Sequence, residues 1–534
     1  MKRLRLRLFG LGVLVTVVLA PACGRREAPT PPAATISRHL SGDPPTLDPI
    51  TMNEDESARV VAMMFRPLIN IDKDLKLVPG LAKSWKVSDD GLLYEFHLDP
   101  AATWEDGKPV TSDDVRFTVE RIHDPKANAA NWSWGFEDLA GIETPDAATV
   151  RVRFQKPYSE RILAFVVPIV SASAYARAKP GDVDRHPVGS GPYRLASWDS
   201  NRTIRLTRRP DAPADRYNFD EVVFRIIPDD NTRFQAGGRG DLDEFKINRD
   251  QRKASEGMPD FLARVRVLKV QQPIEVVLIW NVKNPFLSDV RVRRALAHAW
   301  PREETARQLY VPDGAALVSG PYPPGVAANA PDVVPPGYDP AESARLLDQA
   351  GWKLGPDGVR SQGGRKAKID LVFRAQSRVE INLSEILRSA YEKIGVVLMP
   401  LPLDMAVYTQ RGQDGEFDAY MTGRLFVPPN FDPFPYWDSS QWSPAGQNMG
   451  FYKNPEADRL MKAARLELDE AKRIELYRQI HRLLAADQPA DFLWGADQYW
   501  GVSKRVDDVT LSPLGLFHFD PGALGWRLAP AAAH

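Results

Sequence analysis

Residues 368–403 read KIDLVFR, then AQSRVEI, then NLSEILRSAYEKI, a glycine and VVLMPLPL. The apolar, β-branched and aromatic run from Lys368 to Arg374 predicts a strand. The periodic run 382–394, closed by Gly395, predicts a helix, and 396–403 predicts a second strand. A strand, a crossover helix and a strand make a βαβ unit, whose two strands lie parallel. In open sheets of this kind ligands sit outside the carboxyl ends of the strands. Arg374 and Arg378, which follow the first strand, are therefore candidate ligand contacts. A further strand is predicted over 417–421, with Thr422, Gly423 and Arg424 at its carboxyl end.

Outward from this unit the chain alternates short β-rich runs with amphipathic helices. Ser112 with Asp113 and Asp114 makes a cap and an acidic first turn, and Val115, Val119 and Ile122 give one apolar face, so a helix spans about 112–123. The same logic predicts helices near 288–299, capped by Ser288, and at 341–350 and 469–486. Strands are predicted at 203–207, 222–228 and 276–282.

A chain of 534 residues, 43% of them hydrophobic, is globular and long enough for two or three packed lobes. Its net charge of -1, with Lys and Arg scattered, leaves no concentrated positive face for nucleic acid. Lys2, Arg3, Arg5 and Arg7 precede an apolar run from Phe9 to Ala20, the pattern of a signal peptide over residues 1–22. Cleavage there makes Cys23, the single cysteine, the first mature residue and a lipidation site; LAPAC at 19–23 resembles a lipobox. Residues 23–35, rich in Pro, Arg and Ala, read as a tether.

The sequence contains no GxSxG, HExxH, GxxxxGK[ST] or CxxC motif, and its eight His are scattered. Ser190 in VGSGPY (188–193) reads as a tight connection into a strand, not a nucleophile. No catalytic constellation and no cofactor site is expected.

Several ordered motifs then carry a specific resemblance. They are TLDP at 46–49, MFRPL at 64–68, LVPGLAKSW at 77–85 and VSDDGLLYEFHLDP at 87–100. DGKPVTSDDVRFTVERI at 106–122, PVGSGPYRLASW at 187–198, DVRVRRALAHA at 289–299 and YDPAESARLLDQAGW at 338–352 follow in order. The chain resembles the bacterial extracellular solute-binding family 5, the dipeptide- and oligopeptide-binding proteins of ABC importers, from about residue 36 to 520.

That resemblance implies a bilobal α/β fold like that of type II, cluster C periplasmic binding proteins, with an extra subdomain inserted in the N-terminal lobe. Lobe I is expected over 36–70, 187–272 and a C-terminal return at 490–534, the inserted subdomain over 71–186, and lobe II over 273–489. Trp85, Gly91, Phe96 and Gly107 look like hairpin and core residues of the subdomain. The implied partners are a peptide or other small solute and ABC permease subunits with cytoplasmic ATPases. A monomer held to the membrane by its lipid, in the periplasm or on the outer face of the cell membrane, is expected.

Where the peptide-binding members hold the ligand's amino terminus with an acid, in a Thr-Gly-Asp-like stretch, this chain reads Thr422-Gly423-Arg424, followed by Asp432-Pro433. A base replaces the acid, and Asp432 is the nearby substitute. Arg424, with Arg374 or Arg378, offers guanidinium forks suited to a carboxylate or phosphate. Alternative cargoes are an anionic or amino-blocked ligand, such as an opine, a modified peptide or a sugar derivative, and a metal chelate. Outside transport, a ligand sensor and a secreted hydrolase are the alternatives.

Overall fold

Ten strands form one sheet, and two of them are long enough to run through both of its halves. The computed structural model describes residues 34–127, 129–179, 181–309, 316–425, 430–444 and 446–529. The expected signal peptide, most of the expected tether and Cys23 lie outside the described residues. In chain order the strands are β1 (Thr35–Leu40), β2 (Tyr193–Asp199), β3 (Thr203–Arg208), β4 (Glu221–Ile226) and β5 (Glu244–Ile247). They continue as β6 (Val265–Trp280), β7 (Lys368–Arg374), β8 (Val397–Leu403), β9 (Ala419–Leu425) and β10 (Ala490–Ser503). Their order across the sheet is β8-β7-β9-β6-β10-β5-β1-β4-β3-β2.

The predicted βαβ unit is present: β7 and β8 pair in parallel from Lys368↔Val397 to Arg374↔Leu403. Its helix starts earlier than the sequence suggests, at Arg378, because Ser377 caps it by accepting from the Glu380 amide. Leu383, Leu387 and Tyr391 on that helix pack with Ile369, Leu371 and Phe373 of β7 in one core. Each fully buried side chain of this kind contributes roughly 1.5–3 kcal/mol. The helix expected from Ser288 begins at Val290, and Asp289 is its cap, accepting from the Arg291 amide.

The long strands β6 and β10 run antiparallel from Val265↔Ser503 to Ile279↔Ala490. One end of β10 pairs with β5, and the far half of β6 pairs with β9, so these two strands alone join β7–β9 to β1–β5. Their register breaks midway: Gln271 faces Asp497 and Glu275 faces Gly495, so residues 272–274 stand against residue 496 alone. Bulges of this kind bend a strand and raise its local twist. The result is two lobes, each with its own core, sharing one paired crossing.

A separate four-stranded antiparallel sheet lies between β1 and β2 in the chain. Its strands are ordered Ala82–Val87, Leu93–Leu98, Thr149–Phe154, Leu139–Asp146. The helix Ser112–His123 buries Val115, Val119 and Ile122, the face expected from the sequence. Phe96 is buried, and Gly91 and Gly107 sit at φ 68° and 81°, where a side chain is strained. Asp48 of the TLDP motif accepts from Tyr175 Oη at 2.5 Å and from Arg121 at 3.3 Å, tying this subdomain to the segment that follows β1. Gly189 and Gly191 lie against the Met64 backbone with no room for a Cβ, and Ser190 Oγ accepts from the Arg66 amide at 3.3 Å. The VGSGPY stretch is thus a close backbone crossing.

Candidate functional site

Because β9 pairs with β7 in parallel, through Leu371↔Ala419 and Val372↔Tyr420, both strands end on the same side of the sheet. The topology therefore gathers Arg374, Arg378, Thr422, Gly423 and Arg424 at one end of the second lobe's strands. The details differ from the expectation. Thr422, Gly423 and Arg424 do not follow a strand that stops at 421; they lie inside β9, opposite Val277, Val276 and Glu275 of β6. The neighbouring long strand offers a ladder that the weak strand propensity of Gly423 does not override.

Arg374 is engaged: its guanidinium bonds Glu380, with Nε at 2.8 Å from Oε1, and the same carboxylate accepts from the Arg374 amide. Its side chain is 39% exposed, whereas Glu380 is buried. Arg378 opens the helix Arg378–Lys393 and is exposed. Thr422 is half-buried and Gly423 exposed, so this stretch of β9 is reachable from solvent. Asp418, just before β9, is held by Asn284 Nδ2 at 2.6 Å and the Asp370 amide at 3.0 Å. A groove of about 510 Å³ beside this end is lined by Phe373, Ile381, Ser384, Glu385, Arg388 and Pro402 among others. Among the described residues that line it the one guanidinium, Arg388, is already bonded to Glu385.

Asp432 belongs to a different constellation. Its Oδ2 accepts from Tyr158 Oη at 3.1 Å and pairs with Arg465 Nε at 3.0 Å, while Oδ1 accepts from the Phe434 amide at 3.0 Å. Tyr158 comes from the inserted subdomain, so this carboxylate joins the subdomain to the second lobe. Ser159 continues the contact, its amide donating to Arg465 O at 2.8 Å and its Oγ to Ala464 O at 3.0 Å. Glu160 completes it, accepting from Tyr477 Oη at 2.6 Å and from the Phe431 amide at 3.1 Å. Burial pushes the Glu160 carboxyl up to about 8 against the opposing effect of those bonds, and burial likewise raises Asp432. Tyr158, Glu160, Arg465 and Tyr477 carry no motif that singles them out in the sequence; their proximity is purely tertiary.

One pair has the look of catalytic machinery. Ser319 Oγ lies 3.0 Å from His481 Nε2. Both are buried, desolvation lowers His481 to about 4, and among the described residues its Nδ1 has no partner to orient it. A nucleophile needs access and a positioned base, and this pair is sealed against Tyr322.

The profile of the bacterial extracellular solute-binding proteins, family 5 (middle region), matches residues 76–445. The chain belongs to this family. Among its relatives, the oligopeptide-binding protein AppA of Bacillus subtilis (strain 168) is 26% identical over 498 residues, spanning 88% of each chain. The dipeptide-binding protein of Escherichia coli (strain K12) is 26% identical over 481 residues, covering 83% of this chain and 86% of that one. Among solved structures, the substrate-binding protein CtaP of Listeria monocytogenes superposes with a TM-score of 0.81 at 23% identity, over 93% of this chain and all of that one. NikZ of Campylobacter jejuni, in complex with Ni(L-His), gives 0.77 at 24% identity over the same shares. These likenesses establish the two-lobed type II binding-protein fold of family 5.

Proposed function

We propose that this protein is the extracytoplasmic substrate-binding component of an ABC importer, capturing a peptide or peptide-like solute between its lobes and delivering it to the permease. The observation that carries this reading is the paired crossing of β6 and β10, interrupted at Gln271–Glu275, which suits a hinge between two separately packed lobes. The relatives named oligopeptide- and dipeptide-binding proteins support it over most of the chain. On this reading lobe I comprises residues 36–70, 187–272 and 490–534, the inserted subdomain 71–186, and lobe II 273–489. The protein works as a monomer, is anchored through Cys23 after loss of residues 1–22, and binds without turnover.

Native mass spectrometry of protein purified without denaturation identifies retained cargo, and scattering with that cargo is expected to show compaction. Cargo hydrolysis that tracks the protein, and vanishes with a single cleft substitution, overturns the reading. The anchor is tested separately: Cys23→Ser is expected to move the protein from the membrane to the soluble fraction, and unchanged fractionation refutes it.

At the ligand level the base at Arg424, with Arg378 exposed at the same sheet end, favours a cargo that presents a carboxylate or phosphate there. Arg374 is less available, being committed to Glu380. Asp432 is likewise spoken for by Tyr158 and Arg465, which disfavours it as the holder of a ligand ammonium. Arg424→Ala is expected to weaken cargo binding by about 2–5 kcal/mol, the range for breaking a buried charged pair. Unchanged calorimetric affinity, or a bound ammonium at that position, refutes the assignment.

A further inference from the structure

The lobes meet a second time, away from the β6–β10 crossing, where the turn Tyr158-Ser159-Glu160 enters a wall made by Phe431, Asp432, Ala464, Arg465 and Tyr477. We propose that this contact is a latch that holds the lobes closed, and that Glu160 is its pin, seated when protonated and released when ionised. The proposal rests on the reading of the chain as a closing receptor.

The geometry supplies the reason. Glu160 is 4% exposed, and among the described residues its carboxyl receives bonds from the second lobe, from Tyr477 Oη and the Phe431 amide. Opening the lobes breaks these bonds and returns the carboxyl to water. The charged and titratable groups that face it come from every packed element. Tyr477 and Arg473 lie on the helix Glu470–Asp487, and Arg465 lies on the helix Pro455–Leu466. Asp432 lies on the loop before Phe434, and Tyr158 and Arg161 flank Glu160 on its own turn. Arg465 is spent on Asp432 and Arg161 on the Gly135 carbonyl and Asp138, so neither bonds Glu160. Desolvation, together with the negative Asp432, therefore outweighs the Tyr477 and Phe431 bonds and lifts the carboxyl from 4.5 to about 8. A carboxyl whose value is higher in the closed form takes up a proton on closing. Closure is then fully favoured below about 4.5 and is lost progressively as pH rises toward about 8.

The test is hydrogen exchange at the Phe431 amide, which Glu160 accepts, in ligand-free full-length protein between pH 6 and 8.5, corrected for intrinsic rates. Wild-type protection is expected to fall by up to about tenfold per pH unit, the response to one proton, while the radius of gyration rises. Glu160→Gln, neutral throughout, is expected to show a flat profile. Tyr158→Phe, which leaves Glu160 in place, is expected to lower protection at every pH without flattening the slope. Matching pH profiles in wild type and Glu160→Gln overturn the proposal. So does loss of Phe431 protection at constant radius of gyration, which shows fraying in place of lobe opening. Failure of the receptor reading shows itself differently, as no compaction of wild type on adding a defined tripeptide mixture at pH 6.

Discussion

Two of the places where the lobes touch are built from different bonds. At the crossing, β6 and β10 exchange main-chain bonds along most of their length, and Lys269 Nζ reinforces them by pairing with Asp497 at 3.0 Å. At the Tyr158–Glu160 turn one main-chain bond, from the Ser159 amide to Arg465 O, is joined by contacts that depend on two carboxylates, two phenols, a serine and one guanidinium. Main-chain bonds do not titrate in the physiological range and survive most substitutions. Carboxylates do titrate, and each substitution at the turn removes a specific bond. On the proposed reading as a closing receptor, one connection must persist in both states and another must yield, and this division of chemistry suits that need.

Proline in the crossing should do the most damage. Val277 is fully buried and pairs with Thr422 on one side and Phe492 on the other. Val277→Pro removes a ladder donor from a central strand, and a loss of about 3 kcal/mol or more is expected in denaturant unfolding. A fully folded variant of unchanged midpoint shows that the crossing is not what joins the lobes.

The pH dependence of stability comes next. The raised Glu160 value means that its contribution is intact below about 4.5 and declines as pH rises through about 8. The thermal midpoint of wild type is therefore expected to fall over that window more than that of Glu160→Gln, by up to about 1.4 kcal/mol of stability per pH unit. Parallel curves contradict this assignment.

Removing the cation at the turn is a smaller perturbation. Arg465→Ala leaves the buried Asp432 with Tyr158 and the Phe434 amide alone, at an expected cost of about 1–3 kcal/mol. Calorimetry at pH 6 checks it, and the crossing should remain protected in hydrogen exchange. The smallest effect is expected at Arg374. Its guanidinium is more than a third exposed but its partner Glu380 is buried and keeps the Arg374 amide as a donor, so Arg374→Ala should cost about 1–2 kcal/mol and leave cargo affinity unaltered. A large loss of affinity there restores Arg374 to the ligand site.

Much of this architecture is visible in the residues themselves. Period-two runs and capped amphipathic stretches define β7, β8 and the helix between them, because each is specified by neighbours within about a dozen positions. The crossing strands are far less visible. Pro273 interrupts what precedes Val276 and hides the first half of β6, while Gly495, Gly501, Asp491 and Asp497 make β10 look like loop. Their acids are stabilised from a distance: Asp491 by the buried Arg302 at 2.6 Å and Asp497 by Lys269. For the same reason the residues Thr422–Arg424 look like the end of a strand until β6 is laid beside them.

The sequence by itself therefore determined the family, the α/β character and the sheet end at which Arg374, Arg378 and Arg424 gather, since ordered motifs and local periodicity carry that information. Only the tertiary structure decided which of those groups is already bonded, and brought Tyr158 and Glu160 to Asp432 and Tyr477 across some three hundred residues of chain. Contacts of that separation leave no local pattern, because they are set by how the lobes pack and by the desolvation that packing imposes on each carboxylate.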